Sequence, residues 1–274
     1  MQRCIEKREI RKKADSFRTN CKIGKYGIID LFKECERCGY KLFRYPLGEN
    51  EDLGFAQKRD QDIIIFTNTC SRLSREIFTL AHEIGHVILH LNEGNSFVDD
   101  YNTITEKNVD EKEQEANYFA ACLLMPSDEV KKFIDLELQD FENTGLSAMD
   151  IARIMSEFNV SFDMALNRLE NLNIIDTRHK LLLDNQKVEK KVGNLLHSVG
   201  GNAKLNIPSK VIVMPYEYIE YAIYNYNNNA IPKETLERLL SYYQLYMEDI
   251  SDKLISHTES IDDDLDALIG EIDD

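Results

Sequence analysis

Long apolar runs are missing from this sequence, and their absence excludes a membrane-spanning chain. The longest runs, IIIF at 63–66 and VIVMP at 211–215, are far shorter than the roughly 20 apolar residues that a helix needs to cross a bilayer. The first residues, MQRCIEKREIRKK, are charged throughout and contain no apolar stretch of the kind found in secretory signals. We therefore expect a cytoplasmic protein.

Tryptophan is absent, and the chain has only 5 prolines and 12 glycines. The rest of the composition, 43% hydrophobic and 30% charged, is ordinary for a soluble globular protein. A chain of 274 residues is long enough to bury a real core, either as one large domain or as two modest ones.

Paired cysteine motifs are also scarce. The 6 cysteines are scattered through a chain that is too long to need a disulfide framework, so we expect reduced thiols. Cys35 and Cys38 form a single C-x-x-C, whereas a zinc knuckle needs a second pair, and none follows. We interpret this segment, KECERCGY, as the end of an amphipathic helix that runs into a strand.

The formal net charge is −16, but much of the acidity lies at the C-terminus. Residues 248–274 contain eleven acidic residues and one lysine, whereas the first 25 residues contain nine basic and three acidic ones. This balance disfavours direct binding of nucleic acid by the whole chain but not the binding of a basic protein. The acidic tail, 253–274, is typical of a disordered, solvated segment.

Three short strands, YKLFRY, LGFAQ and DIIIF, are predicted after two N-terminal helices. Two longer helices follow, RLSREIFTLAHEIGHVILHL and VDEKEQEANYFAACLLM, and a pair of helices joined at Asn159-Val160-Ser161 spans 147–175. We place a first domain at 1–177, a mainly helical region at 178–252 and the acidic tail at 253–274.

The segment FTLAHEIGHVILH contains the motif H-E-x-x-H. Residues i and i+4 share one face of a helix, so the imidazoles of His82 and His86 can bind one metal ion. Glu83 projects to the side of that face, where its carboxylate can act as general base on a water that zinc acidifies. The motif alone is moderately specific, and the alternative without a function is a helix with two hydrogen-bonded histidines.

Two histidines leave a catalytic zinc in need of a third protein ligand, and a glutamate on a following helix is one known solution. In the run EKEQEANYFAACLLMP, Glu113 is the best candidate. Asn117 lies four residues further along the same face, where its amide can hydrogen-bond a ligand histidine. Glu111 and Glu115 point elsewhere on the helical wheel, and we expect both on a solvated face.

His90 continues the series of histidines spaced four apart and is a tempting third ligand. Along an unbroken helix it lies about 12 Å from His82, too far to share an ion with it. The residues between His86 and His90, VIL, include no glycine that would permit a turn. We therefore expect a structural hydrogen-bonding role for His90.

The two motifs together, REIFTLAHEIGHVILH and the later EQEANYFAACLLMP, resemble the ImmA/IrrE family of metallopeptidases. Members of that family carry an FTLAHELGH-type helix and a later helix of the pattern E-x-x-A-N-x-F-A-A-x-L-L-M-P. The resemblance extends upstream through the predicted strands and downstream into the helical pair, and it covers residues 5–175.

The resemblance implies an α+β fold with a small gluzincin-like unit, in which a short three-stranded sheet packs on the HExxH helix. A helix-turn-helix-like pair and a mainly helical C-terminal region would follow. It also implies that His82, His86 and Glu113 bind zinc and that Glu83 is the general base. A peptidase of this kind holds its substrate as an added strand along an exposed sheet edge, for which DIIIF or LGFAQ could serve.

Family members cut, or relieve repression by, helix-turn-helix repressors of mobile elements or stress regulons. The resemblance therefore implies a zinc endopeptidase with a basic repressor as its substrate. The residue that stabilises the oxyanion is left open, with Tyr101 and Tyr118 as candidates.

Two other functions compete with proteolysis. The first is a metal-binding regulator that binds a repressor without cutting it. The second is direct DNA binding through the pair at 147–175. The second helix of that pair offers a single arginine, Arg168, against Asp163 and Glu170, and a net negative helix approaches phosphates poorly.

Overall fold

The computed structural model of the protein describes residues 5–49, 53–91, 106–138 and 145–255, without the side chains of 106–110. Tyr101 and most of the acidic tail lie outside these described residues. By its packing the chain divides between Val213 and Met214 into two units. The domain boundaries predicted from the sequence stay predictions. None of the described helices is long and apolar enough to span a bilayer.

Helices make up most of the first unit. They are α1 (Lys7–Thr19), α2 (Leu31–Arg37), α3 (Leu73–Leu89), α4 (Glu106–Leu124), α5 (Ser127–Glu137), α6 (Ala148–Phe158), α7 (Phe162–Asn171), α8 (Thr177–Lys190) and α9 (Val192–Ser198). α4 packs against both α1 and α3, so it lies at the centre of this helical layer. α6 and α7 are the predicted pair, and Asn159 between them adopts the left-handed conformation with φ of 55°.

A three-stranded sheet packs against α3. Its strands are β1 (Lys41–Tyr45), β2 (Gly54–Arg59) and β3 (Asp62–Asn68), in the order β1-β3-β2. β3 runs parallel to β1 and antiparallel to β2. Ile65 of β3 and Leu80 of α3 are fully buried in one hydrophobic core. The predicted α+β fold, with a short sheet on the HExxH helix, is confirmed.

Two buried arginines hold the C-terminal end of α4. Arg18 donates from Nη1 to the carbonyl oxygen of Leu123 at 3.0 Å, and Arg168 donates from Nε to that of Met125 at 2.9 Å. A helix end leaves its last carbonyls without intrahelical partners, and cations there also complement the helix dipole. α4 is thereby fixed against α1 and α7.

The segment 207–213, which we call the strap, runs along the sheet. Val213 forms an antiparallel bridge with Arg44 in β1, and the backbone of Leu73 donates to the carbonyl of Ile207 at 2.9 Å. The strap therefore covers the outer edge of β1 at Arg44. β2 lies at the opposite edge of the sheet.

A buried ion pair joins β1 to α3 beneath the strap. Arg44 donates from Nε and Nη2 to the two carboxylate oxygens of Glu76 at 2.8 and 3.0 Å. The hydroxyls of Thr67 and Ser209 each donate to the same carboxylate at 3.0 Å. This network ties the sheet and the strap to the first turn of α3.

The second unit is a small helical assembly with a core of its own. It contains α10 (Glu217–Asn227), α11 (Lys233–Ser241) and a 3₁₀ helix at Met247–Lys253. Leu236 and Leu240 of α11 are almost completely buried, and Ile223 of α10 packs in the same cluster. The prediction of a mainly helical C-terminal region is confirmed for the residues described.

Candidate active site

His82 and His86 lie one turn apart on α3, with their rings directed to one point. Their Nε2 atoms are 2.9 Å apart, and both side chains are largely buried. Two imidazoles at this spacing follow directly from the helical repeat, since residues four apart lie above one another on the same face.

Glu113 reaches the same point from α4. Its carboxylate oxygens lie 3.1 Å from Nε2 of His82 and 3.1 Å from Nε2 of His86. Hydrogen bonds to these two imidazoles lower the pKa of the Glu113 carboxyl far below its usual value. A carboxylate that stays ionised is suited to bind a cation.

Gly85 sets how closely α4 can approach α3. A Cβ atom at this position would lie 3.1 Å from Cδ1 of Phe119 and 3.2 Å from Cα of Ala116. Such separations are tighter than ordinary van der Waals contact, so a larger residue would push the helices apart. The glycine within HEIGH therefore brings the Glu113 carboxylate within reach of the two histidines.

The arrangement fits a tetrahedral divalent metal ion. One ligand atom from each of His82, His86 and Glu113 lies within 4.8 Å of the others. Ligand bonds of about 2.0–2.1 Å at tetrahedral angles place ligand atoms about 3.3 Å apart, close to the separations seen here. Two imidazoles and a carboxylate form a ligand set that zinc prefers, and the fourth position stays open for a reacting group.

Asn117 is placed where the sequence predicts it. Its Oδ1 lies 3.1 Å from Nδ1 of His82. An amide oxygen can only accept, so this contact puts a proton on Nδ1 of His82, and in the neutral imidazole that a metal would bind the lone pair is then on Nε2. Burial lowers the pKa of His82, but the contact with Glu113 and the nearby carboxylate charges outweigh it, so the pKa is raised overall.

Glu83 lies beside the histidine pair, under strand β2. The residue is only 7% exposed, and burial raises the pKa of its carboxyl. The charges of His86 and His82 and a hydrogen bond from the backbone of Ala56 oppose that shift without cancelling it. A carboxylate with a raised pKa is a better proton acceptor near neutral pH, as a general base requires.

Residues 35–170 match the model of a peptidase family described as the IrrE N-terminal-like domain. These residues form a domain of the ImmA/IrrE family. No curated protein matches the chain significantly. Membership supports a metallopeptidase-like activity, and the His82, His86 and Glu113 cluster lies inside the matched range. The role of each of these residues stays a prediction.

In this ImmA/IrrE domain, His90 lies behind His86, on the side away from Glu113. Its Nδ1 is 3.0 Å from Nδ1 of His86, and its Nε2 is 2.9 Å from a carboxylate oxygen of Glu115. α3 continues through Leu89 without a break, so His90 does not turn towards the cluster. The geometry matches the hydrogen-bonding role expected for it.

Glu115 was expected on a solvated face, and that expectation is wrong. Its side chain is 9% exposed, and its Oε1 accepts a hydrogen bond from the backbone N–H of Ile5 at 2.5 Å. The N-terminal segment before α1 covers this face of α4, which a helical wheel of α4 alone cannot reveal. A signal was present in the sequence, because a buried His90 needs a polar partner. Glu111 is exposed, as expected.

Of the two tyrosines proposed as oxyanion stabilisers, the structure describes Tyr118 alone. Tyr101 lies outside the described residues. The Tyr118 hydroxyl accepts from Nη2 of Arg11 at 3.4 Å, and Nζ of Lys7 lies 5.5 Å from the centre of its ring. Tyr118 thus contacts α1, and its catalytic role stays a prediction.

Proposed function

We propose that the protein is a zinc-dependent endopeptidase of the ImmA/IrrE family whose substrate is a helix-turn-helix repressor. The observation that supports this best is the convergence of His82, His86 and Glu113, with Glu83 beside them. If His82 and His86 were merely hydrogen-bonded residues of a helix, they would not need a carboxylate from a second helix, yet the Glu113 oxygens lie 3.1 Å from both Nε2 atoms. The net charge of −16 suits the capture of a basic DNA-binding protein.

Zinc bound at the cluster would supply Lewis-acid chemistry, acidifying water and polarising the scissile carbonyl. Glu83 would take a proton from the attacking water as its oxygen bonds to the carbonyl carbon. The same carboxyl would then deliver that proton to the amide nitrogen as the C–N bond breaks. Asn117 would keep His82 in the tautomer that a metal requires.

The edge of β2 is the place where we expect the substrate to add as a strand. β3, which contains DIIIF, lies between β1 and β2, so the expectation that it could offer a free edge is wrong. The segment LGFAQ includes β2, and β2 has β3 as its one strand neighbour among the described residues. Ala56 in β2 also hydrogen-bonds Glu83, so a strand added here would lie next to the general base.

Direct DNA binding is disfavoured by the placement of Arg168. This arginine, the one cation of α7, is 4% exposed and donates to the carbonyl of Met125. It therefore holds the end of α4 and cannot reach a phosphate. Asp163 at the start of the same helix has its side chain 63% exposed and ion-paired with Lys187, so this pair adds no net positive charge that would attract a phosphate.

Proteolysis and binding without cleavage are separated by Glu83→Gln. The variant keeps the size of the side chain and both histidines but removes the base. We expect new N-termini in a helix-turn-helix repressor encoded beside the gene when that repressor is incubated with the zinc-loaded wild-type protein. With Glu83→Gln, zinc and repressor binding should persist while cleavage stops. Glu111→Gln, an exposed Glu-to-Gln change on α4, serves as the matched control.

The alternatives make different predictions for this experiment. If Glu83→Gln still relieves repression in cells and no new N-terminus forms with either protein, the binding-only regulator is correct. If the wild-type protein cleaves other proteins but leaves the repressor intact, the peptidase activity stands and the proposed substrate is wrong.

A further inference from the structure

A series of hydrogen-bonded groups leads away from the candidate metal site formed by His82, His86 and Glu113. It runs from His86 through His90 and Glu115 to the backbone N–H of Ile5, with separations of 3.0, 2.9 and 2.5 Å. These residues come from three separate segments: α3, α4 and the stretch before α1. Ile5 lies outside the range matched by the family model.

These hydrogen-bonded groups are shielded from water. The side chains of His90 and Glu115 are 3% and 9% exposed, and that of His86 is 11% exposed. In such an environment a polar atom left without a partner is costly, so each group's partner decides which atom carries a proton.

The position of each proton can be worked out by starting at the N–H of Ile5 and moving towards His86. The N–H of Ile5 can only donate, and an ionised Glu115 accepts at both oxygens, so Nε2 of His90 carries a proton. A neutral imidazole has one N–H, which leaves Nδ1 of His90 as an acceptor. Nδ1 of His86 must then donate to it. In the neutral imidazole that a metal would bind, the lone pair of His86 is consequently on Nε2, which faces Glu113 and His82.

We propose that His90 and Glu115 are positioning residues that hold His86 in the tautomer required for metal binding. They would do for His86 what Asn117 does for His82. The opposite arrangement, with a proton on Nδ1 of His90, would force the His86 proton onto Nε2, where it blocks the metal. This inference rests on the metallopeptidase function proposed above.

A purely structural role for His90 would be to fill space and tie α3 to α4. The two roles are separated by a pair of substitutions at this position. In His90→Asn, the side-chain oxygen can occupy the place of Nδ1 and still accept from His86. In His90→Gln, the amide nitrogen can occupy the place of Nε2 and donate to Glu115, but the acceptor facing His86 is lost.

The test measures the dissociation constant for zinc alone by competition with a chromophoric chelator, using full-length metal-free protein. Outer partners of metal-binding histidines are worth about 10–100-fold in metal affinity, so His90→Gln should weaken zinc binding by that factor. His90→Asn should stay close to wild type, although it is the smaller residue. A space-filling role predicts the reverse order, because glutamine is closer to histidine in volume.

Glu115→Gln gives a second, independent variant. Its amide cannot accept from both Ile5 and His90, because one of its two polar atoms is a donor. We expect weaker zinc binding than in the wild type, whereas Glu111→Gln should bind as the wild type does.

The wild-type protein itself provides the measurement that depends on no variant. In the zinc-loaded protein, imidazole ¹⁵N spectra should show protons on Nδ1 of His86 and on Nε2 of His90. A proton on Nδ1 of His90, or zinc affinity unchanged in both His90→Gln and Glu115→Gln, would overturn the proposal while leaving the zinc site intact. Failure of the wild-type protein to bind zinc would overturn the proposed function as well.

Discussion

Replacing Arg44 by methionine removes the cation that faces the Glu76 carboxylate, under the first turn of α3. The Glu76 side chain is 0% exposed and that of Arg44 13%, so water cannot take the place of the guanidinium. Methionine keeps an apolar stem next to the ring of Phe32, over which the Arg44 guanidinium now stacks at 3.6 Å. The substitution therefore removes mainly the charge.

The expected loss of stability follows from that burial. Breaking a buried pair by removing one partner costs about 3–5 kcal/mol, because a charge is left buried and uncompensated. Two hydroxyl donors, from Thr67 and Ser209, remain on the carboxylate and favour the lower end of that range. A loss of about 3 kcal/mol corresponds to a drop in Tm on the order of 6–12 °C for a unit of this size.

The assay is denaturant unfolding of wild-type protein, Arg44→Met and the double variant Arg44→Met/Glu76→Gln. The double variant should recover most of the loss, because a neutral amide replaces the buried charge. Lys13→Met is the control, since it breaks an exposed pair with Glu9 at 3.8 Å, and it should change stability by less than about 0.5 kcal/mol. A loss below about 1 kcal/mol in Arg44→Met, or a double variant no better than the single one, would refute the reasoning.

Three further predictions concern the candidate metal site. Gly85→Val should cost about 1–3 kcal/mol of stability and weaken zinc binding, because it pushes α3 away from Ala116 and α4; unchanged zinc affinity in a folded variant would contradict this. Asn117→Ala should weaken zinc binding about 10–100-fold, whereas Asn117→Asp, which keeps an acceptor for His82, should not; equal effects in the chelator assay would refute the tautomer argument. Removing zinc should lower the Tm of wild-type protein, since zinc at 100 times its dissociation constant stabilises by about 2.7 kcal/mol, but should leave that of His82→Ala unchanged.

The parts of the site that the sequence predicts are those determined by local geometry. The four-residue spacing places His82 and His86 on one face, and the same spacing relates Glu113 to Asn117 on α4. The strands and the helix pair were also recognisable, because short alternating runs and turn residues specify them locally. The pairing of the two helices depends on Gly85, whose role is visible only when Ala116 is placed beside it.

The parts that sequence alone does not predict depend on distant segments. A helical wheel of α4 places Glu115 in solvent because it cannot include Ile5, which is 110 residues away in the chain. Arg168 is the single arginine that the second helix of the pair offers, and only the structure reveals that it is buried against Met125, the residue that follows α4. The segment DIIIF forms the middle strand of the sheet and not an edge, as is typical of a strand so rich in isoleucine.

The central claim, that His82, His86 and Glu113 together hold one zinc ion, is tested most directly by anomalous diffraction at the zinc edge. Crystals of the protein loaded with one equivalent of zinc should show a single anomalous peak about 2.0–2.2 Å from Nε2 of both histidines and from a Glu113 oxygen. The peak should vanish in crystals of Glu113→Ala and His82→Ala grown in the same way. A peak at another position, or none in the wild-type protein, would contradict the account.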